Sequence, residues 1–399
     1  MTKNMNKIEK LIAELCPDGV EFKKLGEVIS LEYGKPLKES ERGGGNFPVL
    51  GSNGRIGFHG SYLIEGPCLI VGRKGSAGAV VWEDQNCYPI DTTFFVKKQN
   101  DEILLKYLFH LFQTLNLTAD KQDGGVPGLN RNNVYKIKIP IPPLPVQEEI
   151  VKILDTFTTL EAELEAELEA RKKQYEYYRD ELLTFGAEVE WKTLGEVATL
   201  ITKGTTPKNF TNSGINFVKL ESFEGGKINP AKFAFVHEQT HCKELKRSIL
   251  KEHDILFAIA GATIGKCAIV EESILPANTN QALAIVRLGT GVKVRFIFHY
   301  MQTIAMVKYI VKYNKTSAQP NLNLQQISNF PVPIPTIAEQ ERIVAILDKF
   351  DALVHDLPAP SADGWRQAGI SVGLPAEIAA RRKQYEYYRE KLLTFQEKQ

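Results

Sequence analysis

The block Arg171-Lys-Lys-Gln-Tyr-Glu-Tyr-Tyr-Arg-Asp-Glu-Leu-Leu-Thr-Phe185 returns as Arg381-Arg-Lys-Gln-Tyr-Glu-Tyr-Tyr-Arg-Glu-Lys-Leu-Leu-Thr-Phe395, identical at 12 of 15 positions. A chain that carries one helix surface twice is constrained to present both copies, and identical surfaces select identical ligands. Two copies of one partner on one scaffold are therefore predicted. The segments between the copies are where the chain differs from itself.

The repeat has a wider frame. Upstream of the two blocks stand Gln147-Glu-Glu-Ile-Val-Lys-Ile-Leu-Asp-Thr-Phe157 and Gln340-Glu-Arg-Ile-Val-Ala-Ile-Leu-Asp-Lys-Phe350. The strings Ile139-Pro-Ile-Pro-Pro143 and Val332-Pro-Ile-Pro335 mark the entrance to each helix. Leu25-Gly-Glu-Val28 and Leu194-Gly-Glu-Val197 open intervening segments that run 122 residues to Gln147 and 146 to Gln340. The segment Ile8-Glu-Lys-Leu-Ile-Ala-Glu-Leu15 followed by Gly19-Val-Glu-Phe22 resembles Glu181-Leu-Leu-Thr-Phe-Gly-Ala-Glu-Val-Glu-Trp191 in pattern. The organisation reads as circular, with the N-terminal helix packing on the C-terminal one.

Apolar residues at Ile150, Ile153, Phe157, Leu160, Leu164, Leu168, Tyr175, Tyr178, Leu182 and Phe185 follow spacings of three and four and predict a coiled-coil seam. The Leu-Glu-Ala-Glu tandem at Leu160, Leu164 and Leu168 places two fours in succession, a stutter that locally unwinds a supercoil. An unbroken helix from Gln147 to Phe185 would be about 58 Å long. One tetrapeptide more or less would shift whatever follows by roughly 6 Å and about 40°. In the second copy the stretch from Pro358 to Pro375 interrupts the pattern and predicts a short helix, a loop, and a second helix beginning near Pro375.

Length fits two main domains, at ~100 to 200 residues each. No apolar run approaches the ~20 residues of a membrane span, and the polar start Met1-Thr-Lys-Asn does not resemble a signal peptide. Five cysteines, scattered without Cys-x-x-Cys spacing, point to a reducing cytoplasm. The net charge of +1 argues against a strongly basic nucleic-acid binder, but residues 186–345 hold 18 Lys/Arg against 13 Asp/Glu and residues 151–185 hold 5 against 9. A locally basic globule beside an acidic helix fits a chain that contacts both phosphates and proteins, with other subunits supplying much of the phosphate neutralisation.

In the first globule Gly72-Arg-Lys-Gly-Ser-Ala-Gly78 and the segment 120–133 combine basic, amide and flexible residues, and Arg73, Lys74, Lys121, Gln122, Asn130, Arg131 and Asn132 are the candidate binding residues. In the second the candidates are Lys203, Thr205, Lys208, Asn209, Lys266, Asn278, Asn280, Gln319 and Asn321. Gly75, Gly78, Gly261 and Gly265 are expected to form tight turns in a β-rich core.

Enzyme signals are weak. His237-Glu-Gln-Thr-His241 matches a zinc-protease pattern but has no evident downstream ligand. Gly261-Ala-Thr-Ile-Gly-Lys266 is one residue short of a phosphate-binding loop, and Cys267 replaces the hydroxyl residue that would hold magnesium. No Asn/Asp-Pro-Pro-Tyr/Phe string is present to hold a flipped base. No catalytic residue and no metal site are assigned.

Together the twice-repeated Gln-Glu-x-Ile-Val-x-Ile-Leu-Asp helix, the Arg-Lys-Gln-Tyr-Glu-Tyr-Tyr-Arg block, the two unlike globules and the Leu-Glu-Ala-Glu tandem resemble the DNA specificity subunits of type I restriction–modification enzymes. The likeness covers essentially the whole chain and is nearest the subfamily with tetrapeptide repeats in the central helix. It implies an α+β fold in which two β-rich target-recognition domains are separated by two long antiparallel coiled-coil helices, in a pseudo-twofold, circular organisation. The frame then divides into an N-terminal helical arm over 1–19, recognition domains over 20–146 and 186–339, a central spacer helix over 147–185, and a distal helical region over 340–399 with an inserted loop at 358–375.

The resemblance further implies double-stranded DNA read as an asymmetric bipartite target, one half by each domain, with the candidate binding residues of the two globules as the DNA contacts. Two methylation subunits would dock on the helices and restriction subunits would join the complex. Expected partner contacts are Gln147, Ile150, Tyr175, Tyr178 and Arg179, and their counterparts Gln340, Ile343, Tyr385, Tyr388 and Arg389. No cofactor belongs to this chain, while S-adenosylmethionine, ATP and magnesium would bind the partner subunits, and the chain itself would be noncatalytic. The alternative is a coiled-coil protein-interaction scaffold without DNA binding.

Overall fold

Every residue of strands Cys68–Gly72 and Ile255–Ala258 is buried. Short, continuously apolar runs of this kind suit the interior of a sheet covered on both faces. In the computed structural model each is an inner strand of a four-stranded antiparallel sheet. The strand orders are Ile29–Tyr33, Thr93–Lys98, Cys68–Gly72, Val80–Glu83 in the first and Ala198–Lys203, Leu283–Leu288, Ile255–Ala258, Cys267–Ile269 in the second. The structure describes residues 7–118, 128–224, 226–261, 263–313, 321–355 and 373–398. These fall into two compact units, one drawn from Met1–Glu163 together with Ala379–Gln399 and the other from Leu164–Ile378.

The units share a plan. Each adds a three-stranded sheet, ordered Gly54–His59, Phe47–Gly51, Tyr88–Pro89 in the first and Ala234–Val236, Ile215–Val218, Ala277–Thr279 in the second. Each also has a two-stranded antiparallel ribbon that leads into a helix, Glu21–Lys24 with Lys138–Ile141 and Glu190–Thr193 with Pro331–Ile334. The Pro-rich strings occupy these ribbons, with Pro140 opposite Phe22 and Pro333 opposite Trp191. Proline is tolerated there because a ribbon strand has a free edge where a missing N–H breaks no ladder bond.

The long helix runs Leu144–Leu182 without a break, starting and ending about three residues before the expected Gln147 and Phe185. The distal region forms helices Ile337–His355 and Leu374–Leu393, and the intervening insertion lies largely outside the described residues. The buried stripe of the long helix is wider than the predicted seam. Leu154 and Leu183, off the predicted seam, are buried, while Leu160 on it is 38% exposed. The reason is that each end of the long helix packs into the core of a β unit as well as against a distal helix.

Helix pairing occurs within each unit. In the first, Phe157 stacks on Tyr388 and Glu161 pairs with Arg382; in the second, Tyr175 and Tyr178 both stack on Phe350. The N-terminal helix Lys7–Leu15 places Ile8 in the core cluster that also holds Leu393, as the circular reading expects. Val20 exchanges backbone bonds with Gln396 and Lys398, at 2.9 Å each. Among the described residues no helix is long and apolar enough to cross a membrane.

Candidate nucleic-acid interface

The recognition candidates gather at one end of each four-stranded sheet, and equal backbone bonds make the two ends superposable in sequence terms. Leu129 N–H donates to Arg73 O at 2.8 Å as Leu322 N–H donates to Ile259 O at 2.9 Å. Gly34 N–H donates to Thr93 O at 3.2 Å as Gly204 N–H donates to Leu283 O at 3.1 Å. A Cβ on Gly34 would lie 2.1 Å from Ile90 O and one on Gly204 2.0 Å from Asn280 O, so both positions admit only glycine. Lys74 bridges Gly128 as Ala260 bridges Asn321. The frame is thus the same while the side chains it presents differ: Tyr33 stands where the second unit has Lys203, Arg73 where it has Ile259, and Arg131 where it has Leu324.

Most candidates lie at or near this rim. Lys74, Asn130, Asn132, Lys203, Lys208, Asn209, Lys266 and Asn321 are exposed, and Arg73, Arg131, Thr205 and Asn280 half-buried. Some have internal duties as well. Asn130 caps the short helix Arg131–Tyr135 by accepting from Asn132 N–H, Arg73 donates twice to Asp91 O, and Thr205 Oγ1 accepts from Arg247. Gly75, Gly78, Gly261 and Gly265 have φ between +76° and +96°, as tight turns require. Lys121, Gln122 and Gln319 lie outside the described residues.

Asn278 requires correction as a DNA contact. It is fully buried, donates to Leu245 O and Ser248 Oγ, and has its Oδ1 2.6 Å from the His241 ring. That contact also commits His241 of the zinc-protease pattern to the second unit's own polar core.

The sequence reading missed Tyr33. Its ring is 49% exposed, and the guanidinium carbons of Arg73 and Arg131 both stand 5.2 Å from its centroid. A single tyrosine at the end of an otherwise ordinary strand carries no signal until the fold brings the arginines to it.

The predicted partner contacts resolve into an inner and an outer set. Gln147 is buried and spends its whole amide internally, accepting from Leu104 N–H at 2.9 Å and donating to Glu102 O and Pro142 O at 2.8 and 2.7 Å. Gln340 does the same with Lys293 N–H and Pro335 O. Each glutamine satisfies the first turn of the helix after the sheet, Leu105–Phe112 or Val294–Tyr300, whose leading N–H groups have no partner inside the helix. Ile150 and Ile343 are fully buried in the two cores.

The tyrosines of the repeated block close two matching junctions. Tyr385 Oη lies 2.9 Å from Nδ1 of buried His110, whose Nε2 lies 2.8 Å from Asp155. Tyr175 Oη lies 3.0 Å from Nδ1 of buried His299, whose Nε2 lies 2.7 Å from Asp348. Burial holds both imidazoles below their ordinary pKa despite the carboxylates. Arg389 and Arg179 then lie over the rings of Tyr385 and Tyr175, at 5.0 and 5.4 Å.

The expectation that Gln147, Ile150, Tyr175, Gln340, Ile343 and Tyr385 face a partner is therefore corrected. The identity of these residues in the two copies serves two internal seams that are alike at their centres. Tyr178 and Tyr388 stay 37% and 40% exposed, and the adjacent Tyr177 and Tyr387, which sequence periodicity passed over, are 63% and 60% exposed.

A family model described as "Type I restriction modification DNA specificity domain" matches residues 17–170 and 187–359. The chain is 31% identical to the type I restriction enzyme EcoR124I/EcoR124II specificity subunit of Escherichia coli, over 98% of this chain and 97% of that protein. It is also 31% identical to a type I restriction enzyme specificity subunit of Haemophilus influenzae, over 99% of this chain and 100% of the other. Among solved structures, the S subunit of a type I restriction-modification system from M. genitalium aligns with a TM-score of 0.56 at 16% identity, covering 94% of this chain and 96% of that one.

Proposed function

Because the chain belongs to the type I restriction–modification DNA specificity family, we propose that its two units each read one half of an asymmetric, bipartite, double-stranded DNA target. The observation that carries this reading is the pair of sheet ends with one backbone frame and different side chains, Tyr33, Arg73 and Arg131 against Lys203, Ile259 and Leu324. One frame with two side-chain sets fits two half-sites of different sequence, since base edges are read by side chains and register is set by phosphate contacts.

The outer faces of the repeated block, with Tyr177, Tyr178, Tyr387 and Tyr388 exposed, dock two identical methylation subunits. Restriction subunits join that assembly. The chain is a noncatalytic part of it and works in the cytoplasm, while S-adenosylmethionine, ATP and magnesium bind the partners. The Leu-Glu-Ala-Glu tandem acts as a spacer between the two reading surfaces.

Exchanging residues 20–146 for those of a related subunit is expected to change one half-site of the methylated motif and leave the other intact, as read by methylome sequencing. An unchanged motif would overturn the assignment. Deleting one Leu-Glu-Ala-Glu unit is expected to alter the gap and neither half-site.

A further inference from the structure

Among the described residues, Arg73 and Arg131 converge on one exposed tyrosine without a carboxylate to neutralise them. Among the described residues neither guanidinium has an ion-pair partner, and their hydrogen bonds go to backbone carbonyls, Arg73 Nε and Nη2 to Asp91 O and Arg131 Nη1 to Leu31 O at 3.4 Å. Nε and Nη2 of Arg131 and Nη1 of Arg73 are left as donors, and the Tyr33 hydroxyl has no hydrogen bond among the described residues. Two like charges held beside one ring repel, and the ring's negative face offsets only part of that cost. A site so built favours a ligand rich in acceptors.

The ring is itself held in place. Tyr33 lies opposite Phe94 in the sheet, with ring centroids 4.9 Å apart, and Gly34 behind it is pinned against Ile90 O. Arg131 starts a helix capped by Asn130, and Arg73 leads the turn that carries Lys74. The donors are therefore presented from three separate elements of a rigid sheet end, which favours precise recognition over adaptable contact.

We propose that Tyr33, Arg73 and Arg131 form the base-discriminating contact of the first unit, with the Arg131 fork reading a guanine of that half-site in the major groove. Guanine offers there the two acceptors, O6 and N7, that an arginine fork matches. Tyr33 packs against both arginines and fixes the fork's direction, and Arg73 adds a second cation to the same ring. The second unit, with Lys203, Ile259 and Leu324 at the equivalent positions, must read its half-site by other groups. This inference rests on the DNA-reading function above.

The test uses the full chain assembled with its methylation partner and a randomised duplex pool. Wild-type, Arg131→Gln, Tyr33→Ala and, as a control in the other unit, Lys203→Gln proteins are compared by selection and sequencing, with folding checked by thermal unfolding. Arg131→Gln is expected to lower discrimination for guanine at one position of one half-site by roughly ten- to a hundredfold, leaving the other half-site unchanged. Tyr33→Ala is expected to relax the same position less. A uniform loss of affinity with the motif intact, or an unchanged motif, would overturn the proposal and leave the DNA-reading function standing. A wild-type complex that enriches no sequence would overturn that function and the proposal with it.

Discussion

The two histidine junctions are built alike at the centre and differently at the edge. In the first unit, Tyr385 Oη also reaches Gln113 Oε1 at 3.0 Å, and Arg389 donates to the same oxygen at 2.7 Å, so the junction ends in a hydrogen-bonded chain. In the second, Arg295 joins Asp348 and Asp351, His355 joins Asp351, and among the described residues no second partner meets Tyr175 Oη. Hydrogen bonds from His299 and Arg295 outweigh the burial that opposes ionisation of Asp348 and hold its carboxyl below the ordinary value. The same balance, with His355 and Arg295 as donors, holds Asp351 low. The repeated motif thus specifies Gln, Asp and Tyr, while the surrounding helices decide how closely the seam's ions pair: Lys106 stands 3.8 Å from Asp155 in the first unit, whereas Arg295 in the second stands 2.5 Å from Asp348 and also meets Asp351.

The largest effect that would break this likeness is loss of the buried glutamines. Gln147→Ala forfeits three hydrogen bonds and Gln340→Ala two, so losses of about 3–4 and about 2–3 kcal/mol are expected by denaturant unfolding. A cost under about 1 kcal/mol for either would show that the clamp does not hold its helix.

Next come the tyrosine hydroxyls. Tyr385→Phe removes contacts to His110 and Gln113, Tyr175→Phe one to His299, and costs of about 1–2 against about 0.5–1.5 kcal/mol should separate the two in the same assay. The reverse order would contradict the difference described.

Acid should then separate the junctions further, by under about 1 kcal/mol per group because Asp348 is partly solvated. Both imidazoles have folded pKa values below the ordinary 6.5, so the unfolded chain binds their protons first. Their stabilisation is complete above pH 6.5 and is lost in both units as pH falls through the folded values. Asp348 and Asp351 lie below 3.8, so the second unit loses a further increment as pH drops from 3.8 through their folded values. Hydrogen exchange in Val294–Tyr300 against Leu105–Phe112 reports the difference, and parallel losses across the carboxylate range would remove it.

The smallest effect on folding is expected on the outer face. Tyr177→Ala and Tyr387→Ala should each change stability by less than about 0.5 kcal/mol. Titrations with the methylation partner should nonetheless show equal weakening at the two sites; a marked inequality would argue against one partner seen twice.

The repeat, its two-domain frame, the proline-marked entrances and the turn glycines are local properties of the chain and were legible in order, spacing and residue type. So was the placing of Lys74, Asn130, Arg131 and Lys203 in or beside glycine-containing loops. Sequence identity between the blocks could not reveal which face it serves, because an inner seam and an outer docking surface impose the same identity. Only the tertiary structure assigned Gln147, Gln340, Tyr175 and Tyr385 to the seams, buried Asn278, and placed Arg73 and Arg131 beside Tyr33 from positions 40 and 98 residues away. The physical reason is that burial and hydrogen-bond satisfaction depend on groups brought together by the sheet, and no local periodicity records which distant residue completes a buried polar group.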